Sequence, residues 1–149
     1  MIWQDKALEH AIQEAPNEAC GLVYMFKGRE KYAPAKNIAV DKLNQFTIDP
    51  KSWTETEDKG DIIAVFHSHV NCDATPSDAD KYSSEKQGLK YYIVNPNSNE
   101  WQSYEPVGYK NSLIGRPYVF GVYDCWSLVR DYFKEQGIIM RDWVRPANE

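Results

Sequence analysis

The sequence predicts an α/β (α+β) fold in which a mixed β-sheet is flanked by helices. Short apolar runs typical of buried strands alternate along the chain with polar or amphipathic stretches that favour helices. Near residue 100, two strand-like runs are separated by the short turn NSN, which is the pattern of a β-hairpin. A chain in this order is expected to place its helices on the faces of one sheet.

Each element can be read from the N-terminus onward. Apolar residues at helical spacing predict a first helix over residues 5–15, which Pro16 ends. A strand follows, and a turn at Gly28 leads to a second strand that Pro34 assigns to a sheet edge. Short helices are predicted at residues 49–60 and from about residue 76 to Lys90. The predicted strands are CGLVYMF (20–26), KYAPAKNIAV (31–40), NQFTIDP (44–50), DIIAVF (61–66), YYIVNP (91–96) and EWQSYEP (100–106).

The composition excludes several classes of protein. Of the 149 residues, 42% are hydrophobic and 13% aromatic, which indicates a packed globular domain. The net charge of −5 argues against nucleic-acid binding, which needs a dense basic face. No apolar run approaches the roughly 20 residues of a membrane span, and the N-terminus lacks a secretory pattern. Three cysteines form no paired framework, so we expect an intracellular, reducing environment.

The texture of the sequence changes after the hairpin. A boundary is predicted between Val107 and Asn111, which gives a main domain over residues 1–107 and a second segment over residues 108–149. The second segment is punctuated by glycines at first. It then becomes amphipathic and helical from about Asp124 to Gln136, with Gly137 as the stop.

Two of the three histidines lie one residue apart at the end of the strand DIIAVF. Residues i and i+2 of a strand point to the same face, so His67 and His69 emerge together while Ser68 points away. Burying both imidazoles unpaired would cost a few kcal/mol, about 1–3 for each group. A catalytic zinc commonly takes three protein ligands and keeps an open position, and Asp80 is the third candidate here.

The start of the next helix can be interpreted in two ways. Ser77 and Asp80 match a capping box, in which both side chains bind backbone amides. Alternatively, Thr75 is the N-cap, Pro76 occupies the first helical position and Asp78 the third. We favour the Thr75 interpretation, which leaves Ser77 and Asp80 free on a common helical face.

The string from His67 to Asp80 resembles the JAMM motif of zinc metallopeptidases in the MPN-domain superfamily. The matching residues are His67, Ser68, His69, Ser77 and Asp80, and PNEACGLVY matches the upstream glutamate element with Glu18. The resemblance covers about residues 1–106 and implies the MPN, cytidine-deaminase-like JAMM fold. It implies Zn²⁺ bound by His67, His69 and Asp80, Glu18 as general base and acid, and Ser77 as a donor to the oxyanion.

The cysteines have separate interpretations. Cys72 lies between the predicted ligands and could be a fourth ligand or a redox switch, but we favour an ordinary loop residue. Cys20 starts an apolar strand and is expected to be a small buried residue.

The stretch GRPYVFGVYDCWSLVRDYFKEQGI resembles the opening of the NlpC-type cysteine peptidases, with Cys125 as the matching nucleophile. A cysteine nucleophile needs a histidine base, and no histidine follows Cys125. The segment covers about 40 residues, so the second domain is expected to be incomplete in this chain.

A JAMM domain followed by an NlpC-type segment resembles the tail-tip assembly proteins of long-tailed phages and prophages. That resemblance implies a peptide or isopeptide substrate, either a cell-wall peptide or a tail protein, and other tail-tip proteins as partners. It also implies a location in the bacterial cytoplasm during assembly or at the virion tail tip. Two alternatives stay open: an assembly protein with a structural zinc site, and a peptidase that trims a ubiquitin-like sulfur carrier.

Overall fold

The computed structural model describes residues 2–108 and 125–141. The chain divides into two compact units, Met1–Val107 and Gly108–Glu149. The first unit contains three helices and five strands in its described residues. Their bounds are α1 Trp3–Glu14, β1 Cys20–Phe26, β2 Arg29–Ala35, α2 Pro50–Glu57, β3 Asp61–Ser68, α3 Asp78–Gln87, β4 Lys90–Asn95 and β5 Glu100–Tyr104.

The five strands form one mixed sheet in the order β2-β1-β3-β4-β5. β1 is antiparallel to both β2 and β3, and β4 is antiparallel to β5. β3 and β4 are parallel and are connected through α3. The predicted mixed sheet with flanking helices is therefore confirmed, and so is the hairpin of β4 and β5.

The central strands β1 and β3 are apolar because both faces of the sheet are covered there. On one face, Trp3, Ala7 and Ala11 of α1 pack against Val23 and Phe66. On the other face, a second buried cluster contains Leu22, Val65 and Tyr91, with Phe46 and Trp53 packed against it. This second face also carries the side chains of alternate residues at the end of β3, including His67.

β2 is an edge strand and contains Pro34, as predicted. The prediction of a strand over residues 44–50 is wrong, because this segment pairs only through the isolated bridge between Asn37 and Ile48. The amide side chain of Asn37 bonds the backbone of Ala39, Gln45 and Thr47. A side chain that satisfies these backbone groups replaces the ladder that a neighbouring strand would provide.

The second unit contains one helix in its described residues, α4 Cys125–Glu135. The helix ends near Gly137, whose φ of 82° is the left-handed conformation that glycine adopts without strain. This agrees with the predicted helix, except that its first residue, Asp124, and the preceding strand-turn of the NlpC-like segment lie outside the described residues. None of the helices described has the length and apolarity that crossing a membrane requires.

Candidate metal centre

Strand β3 delivers the two histidines to one side of the sheet. His67 lies opposite Cys20 of β1 and Ile93 of β4, and it is fully buried. His69 follows the end of β3, but its N–H donates to the carbonyl of Val94 at 2.9 Å. This bond continues the parallel pairing one residue further, so both imidazoles keep the orientation that a strand imposes.

Helix α3 delivers Asp80 from its first turn, and the helix start corrects the sequence prediction. Ser77, not Thr75, is the N-cap: its Oγ accepts from Asp80 N at 3.1 Å, and Asp80 Oδ2 accepts from Ser77 N at 2.9 Å. Thr75 instead donates its N–H to Asp73 Oδ1 at 3.0 Å in the preceding turn. Ser77 and Asp80 therefore form a capping box, and Asp80 also faces the histidines.

The three side chains converge within hydrogen-bonding distance of one another. The Nε2 atoms of His67 and His69 are 3.1 Å apart. Asp80 Oδ1 lies 3.1 Å from His67 Nε2, and Asp80 Oδ2 lies 3.3 Å from His69 Nε2. Ligand atoms at about 2.0–2.1 Å from a tetrahedral zinc lie about 3.3 Å apart. Two imidazoles and one carboxylate with this spacing match the donor set and the size of a three-ligand zinc site.

Hydrogen bonding fixes the orientation of His69. Its Nδ1 donates to the carbonyl of Asp73 at 2.9 Å, which leaves the lone pair on Nε2 pointing toward the other two donors. Burial by itself lowers the pKa of His69, but the hydrogen bond and charge of Asp80 outweigh it, so the pKa is raised. Burial likewise raises the pKa of Asp80, but His67 and His69 hold it well below its usual range.

Glu18 lies just before β1, beside the end of β3. The N–H of Ala19 donates to Ser68 Oγ at 2.8 Å, and Ser68 N donates to the carbonyl of Ala19 at 3.0 Å. This pairing uses the Ser68 side chain, which on the strand lies on the opposite face from His67. Two residues before Cys20, Glu18 shares the face of that residue and of its partner His67.

The Glu18 side chain is 6% exposed. Burial raises the pKa of Glu18 to about 8; His69 opposes this rise, and Asp80 and Asp41 add to it. Glu18 therefore belongs to the same electrostatic cluster as His69 and Asp80. A carboxyl with a pKa near neutrality can both accept and return a proton at physiological pH.

The remaining candidate residues are Ser77 and the three cysteines, and they differ in burial and position. Ser77 is exposed at the start of α3, and its hydroxyl proton is not used by the cap, in which Oγ accepts. Cys20 is fully buried, as predicted, and burial raises the pKa of its thiol to about 12. Cys72 is exposed and lies outside the cluster of His67, His69 and Asp80. Cys125 is the exposed first residue of α4, and no histidine lies among residues 125–141.

Sequence reasoning missed two residues around this site. Phe46 stacks on the His67 imidazole with ring centroids 4.3 Å apart, and Asn37 donates to the carbonyl of Glu18 at 2.9 Å. Both lie in the segment between β2 and α2, where alternating apolar residues favoured a strand. No local pattern marks either residue, because both contacts join parts of the chain that are distant in sequence.

Comparison with known protein families identifies the family of this chain. Residues 2–106 match the family described as prokaryotic homologs of the JAB domain. The chain belongs to the prokaryotic JAB-domain family. The sequence-based assignment of residues 1–106 to this superfamily is thereby confirmed, and the NlpC-like identity of the later segment stays a prediction.

Three known proteins are similar to this chain. Tail tip assembly protein K of Escherichia phage N15 is 33% identical over 140 residues, which cover 93% of this chain and 57% of that protein. The chain thus spans little more than half the length of this curated relative. The CysO-cysteine peptidase of Mycobacterium tuberculosis is 26% identical over 110 residues, 66% of this chain and 74% of that protein. The family therefore includes hydrolases.

The third relative is known by its structure. The solution structure of protein DSY2949 from Desulfitobacterium hafniense has 23% identity and a TM-score of 0.53, and covers 78% of this chain and 95% of that chain. This likeness supports the α+β fold with its five-stranded mixed sheet.

Proposed function

We propose that residues 1–107 are a zinc-dependent peptidase or isopeptidase that hydrolyses an amide bond, and that the chain works in the tail-tip module of a phage or prophage. The observation that carries the proposal is the convergence of the two Nε2 atoms with the Asp80 carboxylate, beside the buried carboxyl of Glu18. Three ligands on one side and a separate proton acceptor next to them are the parts that zinc-assisted hydrolysis requires.

His67, His69 and Asp80 would hold the metal. When bound, zinc supplies a water that ionises near neutral pH and a positive charge that polarises a substrate carbonyl. The three residues must be deprotonated at the donor atoms, and the low pKa of Asp80 favours this state. The positive charge would also lower the pKa of Glu18 from its value near 8 and so favour its carboxylate form.

Glu18 moves the proton. As a carboxylate it accepts a proton from the attacking water, and as a carboxylic acid it returns that proton to the leaving amine. Atoms balance because one water and one amide give one carboxylic acid and one amine. Glu18 can serve in both directions because burial keeps its pKa close to the working pH.

Ser77 is the proposed oxyanion donor. Its Oγ already accepts from Asp80 N, which fixes the position of the oxygen while its proton stays available. A donor held in place before the reaction stabilises negative charge that develops on the substrate oxygen.

The substrate is proposed to be a peptide or isopeptide amide in a cell-wall peptide or a tail protein, and the partners other tail-tip proteins. The relative from phage N15, named as a tail-tip assembly protein, supports this setting and a location in the bacterial cytoplasm during assembly or at the virion tail tip. A ubiquitin-like sulfur carrier is the alternative substrate, and a gene neighbourhood of sulfur-transfer genes would favour it.

The test combines metal content with hydrolysis. Purified protein is analysed for bound metal, and linear peptides, lysine-branched isopeptides and cell-wall stem peptides are assayed with wild type and Glu18→Gln. We expect near-stoichiometric zinc in both proteins and a loss of about 10²–10⁴-fold in hydrolysis for Glu18→Gln. A folded protein that takes up no zinc would disprove the proposal.

A second candidate is an assembly protein whose zinc site only stabilises the fold. The name of the phage N15 relative, which refers to assembly and not to hydrolysis, favours this candidate. In that case Glu18→Gln would leave tail assembly and infectivity unchanged. Loss of infectivity by a Glu18→Gln protein that folds and binds zinc would exclude it.

Cys125 is proposed as the nucleophile of a cysteine peptidase whose histidine lies in a further segment. Its position at the first residue of a helix supports this role. Reading the gene beyond the codon for Glu149 tests it. A histidine-bearing continuation supports the proposal, and a stop codon at that point removes it.

A further inference from the structure

The segment between β2 and α2, residues 36–49, connects two parts of the candidate metal centre, and we name it the site loop. It approaches Glu18 through its backbone, since Glu18 N donates to the carbonyl of Lys42 at 2.6 Å. It approaches the ligand His67 through the ring of Phe46. One loop therefore contacts both the proposed proton carrier and one metal ligand.

The two histidines are oriented by different means. His69 Nδ1 donates to the carbonyl of Asp73, which is the usual support for a ligating imidazole. His67 Nδ1 is buried and, among the residues described, has no hydrogen-bond partner. The His67 ring instead stacks on Phe46 with an interplanar angle of 23°, and the edge-on ring of Tyr91 lies 5.9 Å away.

This aromatic packing can do what the missing hydrogen bond would do. A flip of the His67 ring by 180° about its Cβ–Cγ bond would exchange Nε2 with Cε1 and Nδ1 with Cδ2, which would put a carbon in place of the nitrogen that now lies 3.1 Å from Asp80 Oδ1. No hydrogen bond at Nδ1 opposes that flip, so apart from the Asp80 contact at Nε2 the resistance comes from the rings packed around the imidazole. The stacked ring of Phe46 covers one face of this fully buried imidazole.

The position of Phe46 depends in turn on the side chain of Asn37. Its Nδ2 donates to the carbonyl of Gln45 at 2.9 Å, and its Oδ1 accepts from Thr47 N at 3.1 Å. These bonds hold the residues immediately before and after Phe46. The same Nδ2 donates to the carbonyl of Glu18 at 2.9 Å, and Oδ1 also accepts from Ala39 N at 3.0 Å. All four hydrogen-bonding positions of the amide are used.

We propose that Phe46 and Asn37 are positioning residues: Phe46 holds the His67 imidazole in its ligating orientation, and Asn37 ties the site loop to Glu18 and keeps Phe46 in place. The proposal rests on the proposed function, since it takes His67 as a metal ligand. It assigns to one loop the task that hydrogen bonds perform for His69.

The first test replaces the ring. Phe46→Leu keeps an apolar side chain but removes the stack, and Phe46→Tyr restores a ring. Zinc affinity is measured by competition with a chelator, and the nitrogen shifts of the imidazoles are measured by long-range ¹⁵N NMR in the metal-free protein. For Phe46→Leu we expect a loss of zinc affinity of about tenfold or more and altered nitrogen shifts for His67 alone. Phe46→Tyr should recover both.

Phe26→Leu is the matched control, because Phe26 is an exposed ring at the end of β1, 45% accessible to solvent. It should change neither the zinc affinity nor the shifts of His67. If Phe46→Leu lowers the melting temperature but leaves zinc affinity and the His67 shifts at their wild-type values, Phe46 is only a packing residue and the proposal is wrong.

The second test removes the amide Nδ2 of Asn37, which donates two of the four hydrogen bonds of that side chain. Asn37→Asp keeps the shape and loses the Nδ2 bonds to Glu18 and Gln45. We expect weaker zinc binding, a fall in kcat larger than any rise in KM, and a combined loss of affinity with Phe46→Leu that is smaller than the product of the single losses. Asn99→Asp adds the same charge to the exposed turn between β4 and β5, keeps the oxygen that accepts from Trp101 Nε1, and should match wild type.

The failures of the two proposals can be distinguished. Wild type that binds no zinc disproves the proposed function, whereas the NMR shifts of His67 in the metal-free variants still test the positioning role. Wild type that binds zinc, together with full additivity of Asn37→Asp and Phe46→Leu, disproves the link between the two residues.

Discussion

The candidate site has two halves that are built in different ways. One half consists of the end of β3 and the start of α3, where regular secondary structure places His67, His69 and Asp80. The other half is the site loop, residues 36–49, where one amide side chain and one aromatic ring arrange the backbone around Glu18 and His67. Regular elements fix donors by their periodicity, whereas the loop depends on a few particular contacts. Substitutions in the two halves should therefore have effects of different size on metal binding, activity and stability.

The largest effect is expected at Asp80, which belongs entirely to the regular half. Asp80→Asn removes the charge between two imidazoles and weakens a donor, so zinc affinity should fall about 100- to 1000-fold. An amide oxygen can still accept from Ser77 N, so the helix start should survive. Chelator competition measures the affinity, and circular dichroism measures the helix. If zinc affinity stays within tenfold of wild type, Asp80 is a capping residue and not a ligand.

Ser77 separates the cap from the chemistry within the same half. Ser77→Ala and Ser77→Gly both remove the hydroxyl, so both should lower kcat about 100-fold. Their stabilities should differ, because alanine at an N-cap costs about 1 kcal/mol and glycine only a few tenths. If kcat of Ser77→Ala and Ser77→Gly instead falls in proportion to their loss of stability, Ser77 acts only as the N-cap. Denaturant unfolding and steady-state hydrolysis are the two measurements, and Ser77→Thr should retain both properties.

In the half that contains the site loop, the pH dependence of protein stability reports on the environment of Glu18. Its pKa is raised to about 8, above that of an exposed glutamate, so the folded state retains the proton longer than the unfolded state. The resulting stability is present at pH values below about 4.5 and is lost as pH rises toward 8. In chelator-treated protein, the unfolding free energy of wild type should fall by about 4 kcal/mol more than that of Glu18→Gln between pH 5 and pH 9. Parallel curves would mean that Glu18 is solvated.

The smallest effect is expected at Cys72, which belongs to neither half. It is exposed and lies outside the donor cluster, so Cys72→Ser should change zinc affinity by less than about twofold and stability by less than about 0.5 kcal/mol. A tenfold loss of affinity would make Cys72 a ligand after all. Sensitivity of wild-type activity to mild oxidants, absent in Cys72→Ser, would indicate the redox switch.

Most of the half built from regular secondary structure could be predicted from the sequence. Apolar runs predict the strands β1 and β3. The alternation of side chains along a strand predicts that His67 and His69 point to the same side. The N-cap of α3 was assigned to Thr75 because two local frames satisfied the same capping rules. The turn from Asp73 to Thr75 and the pull of two histidines on Asp80 favour Ser77, and neither is visible locally.

The site loop could not be predicted for a related reason. Its alternating residues favour a strand, but the side chain of Asn37 competes for the backbone groups that a strand would pair. The stack of Phe46 on His67 joins residues 21 positions apart (46 and 67), and nothing in either local sequence announces it. Contacts of this kind depend on the completed fold.

Asp80 both caps α3 and faces His67 and His69, and these two contacts limit which residues can occupy its position. A capping box accepts glutamate as well as aspartate at this place, and glutamate is the commoner choice. A longer side chain could still reach Ser77 N, yet it would carry the carboxylate one methylene further from the Nε2 atoms that it now meets at 3.1 and 3.3 Å. An exchange of Asp80 for glutamate would thus preserve the start of α3 but weaken the proposed metal site. A single substitution at this position could therefore remove metal binding while the fold is kept.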